Sequence, residues 1–199
     1  MFWNNIASLY DFFEIVYNGK VYNELGKKVS EHISDSDQVL ECACGTGAIT
    51  QEVAPHCQQI IATDFSDGML RQAQKKCASF HNATFCKADI MHLEYSEATF
   101  DKVIAGNVIH LLDSPQAAIN ELIRVCKPGG KVIIPTYVNI SKNGRPSLAA
   151  RFLEMLGLDF KRQFDYDSYR QFFMNKGYTS IQFQIIEGRM PCAIAIIEK

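Results

Sequence analysis

Two hydrophobic rhythms divide the chain: helical spacing alone up to Ile33, and then short apolar runs alternating with helical stretches from Gln38 onward. Phe2, Ile6, Leu9, Phe13 and Val16 predict an amphipathic helix, or two short ones, over 2–17. Tyr22, Leu25, Val29 and Ile33 predict a second helix, and the polar run Ser34-Asp35-Ser36-Asp37 ends it. Gln38–Ala43 is a predicted strand, followed by a glycine turn and a helix over Ala48–Ala54 that stops before Pro55. Gln59–Thr63 gives a second strand, and Ser66 is placed to cap a helix over 67–78. Thr84–Ala88 and Lys102–Asn107 give the third and fourth strands. Ser114-Pro115 offers an N-cap with proline at the first helical position, opening a helix to Cys126. Lys127-Pro128-Gly129-Gly130 suits a type II turn, and Lys131–Val138 gives the fifth strand. Pro135 lacks an N–H, so it belongs at that strand's C-terminal end or at a bulge. Beyond it, 139–147 reads as a loop and 148–156 and 167–176 as helices. Segments 179–187 and 190–198 read as two antiparallel strands turning at Gly188-Arg189.

Alternating strands and helices imply an α/β fold: a mostly parallel sheet with helices on both faces, and a mixed far side made by the hairpin. At 199 residues one domain is expected. A net charge of −2 without a basic stripe gives no support for nucleic-acid binding. The seven cysteines are scattered and form no CxxC pair, which points to reduced, buried thiols rather than disulfides or zinc. No metal site is therefore expected. The apolar N-terminus lacks the basic start of a signal peptide and is interrupted by Asn4, Asn5, Asp11 and Glu14. No run approaches the roughly 20 apolar residues of a membrane span. The expectation is a cytoplasmic protein without membrane insertion; the oligomeric state stays open.

Three spots carry chemistry. In Val39-Leu40-Glu41-Cys42-Ala43-Cys44-Gly45-Thr46-Gly47 a strand runs into a glycine turn and then a helix. Glycines let a ligand approach the backbone, and the helix N-terminus offers free N–H groups. An ordinary strand–helix connection would look similar. Ile60-Ile61-Ala62-Thr63-Asp64 is a strand ending in an acid about 20 residues after the glycines, the position that accepts from ribose hydroxyls in nucleotide-binding α/β proteins. Cys86-Lys87-Ala88-Asp89-Ile90 places a third acid before an apolar residue, so that a carboxylate could receive an adenine amino group while Ile90 covers the ring.

Taken in order, these segments resemble the motifs of class I S-adenosylmethionine-dependent methyltransferases. Asp64-Phe65-Ser66-Asp67-Gly68-Met69-Leu70, Phe100-Asp101-Lys102-Val103-Ile104 and Lys127-Pro128-Gly129-Gly130 add to the likeness. It is strongest toward the small-molecule branch that includes the ubiquinone/menaquinone-biosynthesis methyltransferases, and it covers roughly residues 36–138. The resemblance implies a Rossmann-like fold with a seven-stranded sheet and S-adenosylmethionine as cofactor. It implies that Glu41 orients the glycine loop and the methionine amino group, and that Ala43, Gly45 and Gly47 let the cofactor approach. It implies that Asp64 binds the ribose, that Phe65 and Met69 flank the adenine, that Asp89 and Ile90 hold its edge and face, and that Asn107 lies near the methionine part. Ala43 departs from the glycine many members carry there. By the same likeness residues 1–34 form a helical lid, 36–138 the cofactor-binding core, and 139–199 the substrate-side helices and terminal hairpin of a single domain.

The expected reaction is methyl transfer to a small organic acceptor. Two other readings stand beside it: a protein that binds the cofactor without catalysis, and a nicotinamide-dinucleotide oxidoreductase. The latter wants a third glycine where this chain has Thr50. Candidate catalytic groups are His110, just after the fourth strand, and Tyr17 in the N-terminal helices, with Tyr10 beside it; packing would equally account for each. Tyr137, Phe152, Leu153, Met155, Leu156, Phe160, Phe164, Tyr166 and Tyr169 are candidate substrate walls, with core packing as the alternative for most.

Overall fold

In the computed structural model, residues 2–139, 161–178 and 180–199 are described, with side chains from residue 16 onward. Seven strands, β1 (Gln38–Cys42), β2 (Gln59–Asp64), β3 (Ala83–Lys87), β4 (Phe100–Ala105), β5 (Cys126–Tyr137), β6 (Ile181–Ile186) and β7 (Cys192–Glu198), form one sheet in the order β3-β2-β1-β4-β5-β7-β6. The first five are parallel, and β7 is antiparallel to both β5 and β6. This is the mixed sheet with a terminal hairpin that the strand–helix alternation predicts.

Both faces are buried, and period-two alternation sorts the side chains between them. Val132 and Ile134 of β5 join Ala193 and Ala195 of β7 in one core. Ile119 and Leu122 of α4 (Pro115–Val125) and Tyr169 and Phe173 of α5 (Tyr166–Met174) cover that face. Ile133, Ile194 and Ile196 point the other way, toward Val21, Leu25 and Val29 of α1 (Phe2–Ser30) and Ile49 and Val53 of α2 (Ala48–Val53). A further helix, α3 (Asp67–Lys76), begins with the Ser66 side chain accepting from the Met69 N–H at 3.2 Å, the cap expected of it.

Several local expectations change. Ser114 does not cap α4 through its side chain, although Pro115 opens the helix as expected. Pro55 lies inside a short 3-10 turn, Ala54–His56, that extends α2. The Lys127–Gly130 segment is no separate turn: it belongs to β5 as an irregularity, with Phe100 opposite Cys126 and Lys102 already opposite Lys131. Gly130 is needed there because a Cβ would sit 2.6 Å from the Asp101 carbonyl oxygen. β4 ends at Ala105, two residues earlier than predicted. Asn107 turns away at φ 53 and gives its N–H to the Pro135 carbonyl at 2.8 Å. The Pro135 nitrogen thus faces the side where pairing with β4 has ended, at Ile104↔Ile133, and its missing N–H breaks no ladder. The helix predicted at 148–156 lies outside the described residues.

The two predicted N-terminal helices are one helical run broken at Asn18, whose backbone is non-helical (φ −136, ψ 31). The Asn18 side chain is buried. It gives a hydrogen bond to the Met190 carbonyl at 2.8 Å and accepts from the Met190 N–H at 3.2 Å, as a strand neighbour would. Gly188 allows this approach, since a Cβ there would lie 2.3 Å from Val21. Past the break, Gly26 brings α1 against α2, where a Cβ would meet the Glu52 side chain at 2.5 Å. The second half of α1 is therefore fixed to the hairpin turn and to α2. Asn18→Leu keeps the branching of the side chain but orphans two buried backbone groups, each worth about 1–3 kcal/mol. We expect it to cost about 2 kcal/mol or more of stability, seen as a lower urea midpoint with the slope of the transition unchanged.

Candidate cofactor site

Chain order creates the site. From β1 the chain steps outward through β2 and β3, and β4 then pairs on the other side of β1. The loops leaving β1 and β4 diverge, opening a crevice at the C-terminal ends of the parallel strands. Two adjacent cavities occupy it. The larger, about 380 Å³, is lined by Ala43, Gly45, Asp64, Phe65, Met69, Asp89, Ile90 and Asn107, together with Val108, Leu111 and Leu112. Its volume falls within the roughly 300–1,000 Å³ of small-molecule sites. The smaller, about 70 Å³, lies against α1 and is lined by Tyr22, Leu25, Glu41, Thr46, Asn107 and Tyr137, among others. Ala43, Gly45, Gly106 and Asn107 border both.

Backbone conformation keeps the junction open. Ala43 (φ 54), Gly45 (φ 55) and Gly47 (φ 83) are all left-handed, a conformation that costs little only for glycine. A Cβ at Gly45 would meet nothing within 4 Å, so the space above it is free for a ligand. Gly47 differs from its expectation: it lines neither cavity. A Cβ there would press on Ala73 and the Cys77 sulfur at 3.2 Å, so it serves the packing of α2 on α3.

Asp64 ties the loop to the end of β2. One carboxylate oxygen accepts from the Gly45 N–H at 2.9 Å and the other from the Ser66 N–H at 2.8 Å. Burial raises its pKa, and those backbone donors oppose the shift. Asp89, exposed at its own turn, accepts from the Met91 N–H at 2.9 Å. Phe65, 57% exposed, stands at the rim with the Lys87 ammonium 5.7 Å from its ring centre, while Met69 and Ile90 are buried beneath. Ring, thioether and aliphatic side chain fit the two faces of a flat heterocycle, with an acid at each end.

Glu41 is almost fully buried and accepts from the Thr50 hydroxyl at 2.6 Å. Burial pushes its pKa up to about 8; the Thr50 bond works against this and the nearby Asp64 adds to it. Thr50 thus occupies the position of the third dinucleotide-fingerprint glycine with a side chain committed to Glu41. The Asn107 carboxamide oxygen accepts from the Tyr137 N–H at 3.0 Å, bracing the ends of β4 and β5.

The two candidate catalytic residues are not part of the lining of these cavities. His110 lines neither cavity; its ring is buried, and burial alone lowers its pKa to about 4. Its neighbours Val108, Leu111 and Leu112 form the apolar wall instead. Tyr17 also lines neither cavity, whereas Tyr22, one turn past the break in α1, lines the smaller one. The side chain of Tyr10 lies outside the described residues. Of the expected substrate walls, Tyr137 borders a cavity. Phe164, Tyr169 and Phe173 pack edge to face in the core below the sheet. The Tyr169 hydroxyl donates to the Ile134 carbonyl and accepts from the Ala195 N–H at 3.3 Å. Tyr166 is partly buried against that core, and Phe152, Leu153, Met155, Leu156 and Phe160 lie outside the described residues. Sequence reasoning passed over Gly106, Leu111 and Leu112, which lie just beyond a strand in a stretch with no regular period.

With this geometry the comparisons with known proteins agree. Residues 40–134 match the family described as "Methyltransferase domain". That stretch, from β1 into β5, is what this chain shares with methyltransferase domains. A demethylmenaquinone methyltransferase of Corynebacterium urealyticum is 35% identical over 105 residues, 53% of this chain and 44% of that protein. One from Staphylococcus aureus is 28% identical over 165 residues, 80% of this chain and 65% of that protein. The chain thus spans about two-fifths to two-thirds of the length of such curated relatives. A Thermotoga maritima structure, described as an S-adenosylmethionine-dependent methyltransferase, superposes with a TM-score of 0.74 at 17% identity over 100% of this chain and 99% of that one. At that identity the likeness concerns the fold. Among the described residues no helix is long and apolar enough to cross a membrane.

Burial of Glu41 makes the domain's stability depend on pH in a definite sense. The folded chain holds this proton more tightly than the unfolded chain. The stabilisation is therefore fully present below the ordinary value of 4.5 and is lost as pH rises through about 8. Glu41→Gln removes the titration. Urea titrations of the variant should show a flatter decline over pH 4.5 to about 8 than the wild type shows. Parallel curves would overturn the assignment.

Proposed function

We propose that this protein binds S-adenosylmethionine in the crevice and transfers its methyl group to a small, largely apolar acceptor. The observation that carries the reading is the convergence of Gly45, Asp64, Asp89 and Glu41 on two adjacent cavities at the switch point of the sheet. The adenosine end suits the larger cavity, with Asp64 facing the ribose and Asp89, Phe65, Met69 and Ile90 around the adenine. The amino-acid end suits the smaller one, where Glu41 receives the ammonium. The quinone-pathway relatives and the apolar wall of Val108, Leu111 and Leu112 favour a reduced quinone or a similar hydroxylated ring as acceptor.

The cofactor supplies a methyl group on a cationic sulfur, already a good leaving group. The chain's task is then alignment and exclusion of water, which can contribute about 7–11 kcal/mol to such a step. Asn107 and Gly106 border both cavities and so mark where the two halves of the cofactor would join. Because α1 is pinned from Asn18 onward, Tyr22 and Leu25 act as a fixed wall. Any lid movement on ligand binding belongs to the residues before Asn18.

S-adenosylhomocysteine should bind with micromolar affinity, about −8 kcal/mol by calorimetry, and Asp64→Ala should weaken this by roughly 1.5–3 kcal/mol. An ammonium beside Glu41 favours the carboxylate, so binding near pH 6.5, where a free α-amine is still charged, should release protons. Titrations in buffers of different ionisation heat measure that release, and Glu41→Gln should abolish it. Product S-adenosylhomocysteine should accumulate with reduced naphthoquinones or catechols as acceptors. Binding of NAD instead, or binding of the cofactor with no turnover on any small acceptor, would overturn the proposal.

A further inference from the structure

β6 ends the sheet on the hairpin side, and among the described residues no strand pairs with its outer edge. Hydrogen-bonded and non-bonded positions alternate along an antiparallel pair. The Glu198 N–H donates to the Ser180 carbonyl at 3.0 Å, one step before Ile181↔Ile197 in the register. Gln182, Gln184 and Ile186 therefore bond to β7, and the N–H and C=O groups of Ile181, Phe183 and Ile185 point away from the sheet. Edges that stay single are ordinarily blunted by a charge, a proline or a bulge. Ile181-Gln182-Phe183-Gln184-Ile185-Ile186 holds no charge and no proline, and its pairing with β7 is regular. The opposite edge strand, β3, carries Lys87. On β6, Ile185 is 38% exposed, and Gln182 is exposed as well.

This edge is also complementary to itself. When a second β6 runs antiparallel to the first about a twofold axis at Phe183, Phe183 faces Phe183, Ile181 faces Ile185 and Gln182 faces Gln184. Apolar side chains meet on one side of the sheet and amides on the other, the pairing that stabilises neighbouring strands. In this register Ile181, Phe183 and Ile185 take the bonded positions, so the outward N–H groups donate to the outward carbonyls of the other copy.

We propose that two copies of this chain associate through β6, with Phe183 on the twofold axis, to form one continuous sheet. The pairing consumes the edge in both copies, so assembly stops at two. β4, β5 and β7 lie between β6 and β1, so the contact is made away from the crevice. One strand from each copy buries less than about 1,200 Å² in total, the range of transient interfaces, and the dimer should be half formed on the order of tens of micromolar.

Sedimentation of the full chain from about 1 to about 300 µM should show monomer passing into dimer and nothing larger. Over that range amide exchange should slow at Ile181, Phe183 and Ile185. It should stay unchanged at Gln182, Gln184 and Ile186, which bond to β7 at every concentration. Ile185→Pro removes an N–H that no described residue accepts, so it should keep the circular dichroism of the monomer and abolish the dimer. Ile185→Lys should weaken association at least about tenfold. Adding Ile181→Glu should restore it, because the new charges face each other across the axis and lie about 13 Å apart within one copy. A wild type that stays monomeric throughout, a larger assembly, or a dimer indifferent to Ile185→Pro would overturn the proposal. Should Ile185→Pro fail to fold, the exchange pattern decides, and protection gained outside β6 alone overturns it.

Discussion

Asp64 accepts from the Gly45 N–H with one oxygen and from the Ser66 N–H with the other, so a single carboxylate holds together the ends of the first two strands and the start of α3. The neighbouring Cys44 N–H reaches the Thr63 carbonyl at 2.8 Å and continues that junction. The left-handed turns at Ala43 and Gly45 are tolerable because these bonds fix them. Without the junction, the glycine loop would lose its definition, and both cavities border that loop. The carboxylate also works against its own burial, which raises its pKa.

The same logic explains why Glu41 sits where hydrophobic residues would pack better. β1 is central in the sheet and covered on both faces, so any side chain on it is desolvated. Thr50 meets one oxygen, and burial pushes the pKa of the carboxyl up to about 8. A cationic ligand group would reverse that shift. Sensitivity to pH is thus a consequence of one buried acid.

Support from outside the crevice is asymmetric. Asn18 and Gly188 seat the second half of α1 on the hairpin turn, and Gly26 seats it on α2, so residues far apart in sequence define one cavity wall. On the opposite face the aromatic cluster around Tyr169 and Phe173 holds α5 against β5 and β7. That cluster supports the sheet and does not touch either cavity, which is why its composition misleads when read as a binding surface.

By itself the sequence determined the order of strands and helices, the turn after β1 and the acids ending β2 and following β3. Each of these is written in a period, a glycine or a terminal charge that acts over a few residues. It could not decide which buried aromatic faces a ligand and which faces the core, because both positions carry the same hydrophobic signal. The fold settled that by placing Tyr137 at a cavity and Tyr169 beneath the sheet. Nor could local pattern show that His110 is buried without lining either cavity, that Gly47 serves helix packing, or that Lys76 meets Tyr22 across 54 positions of chain. Those outcomes depend on how the crossovers stack on the sheet, and long-range packing leaves no periodicity to read.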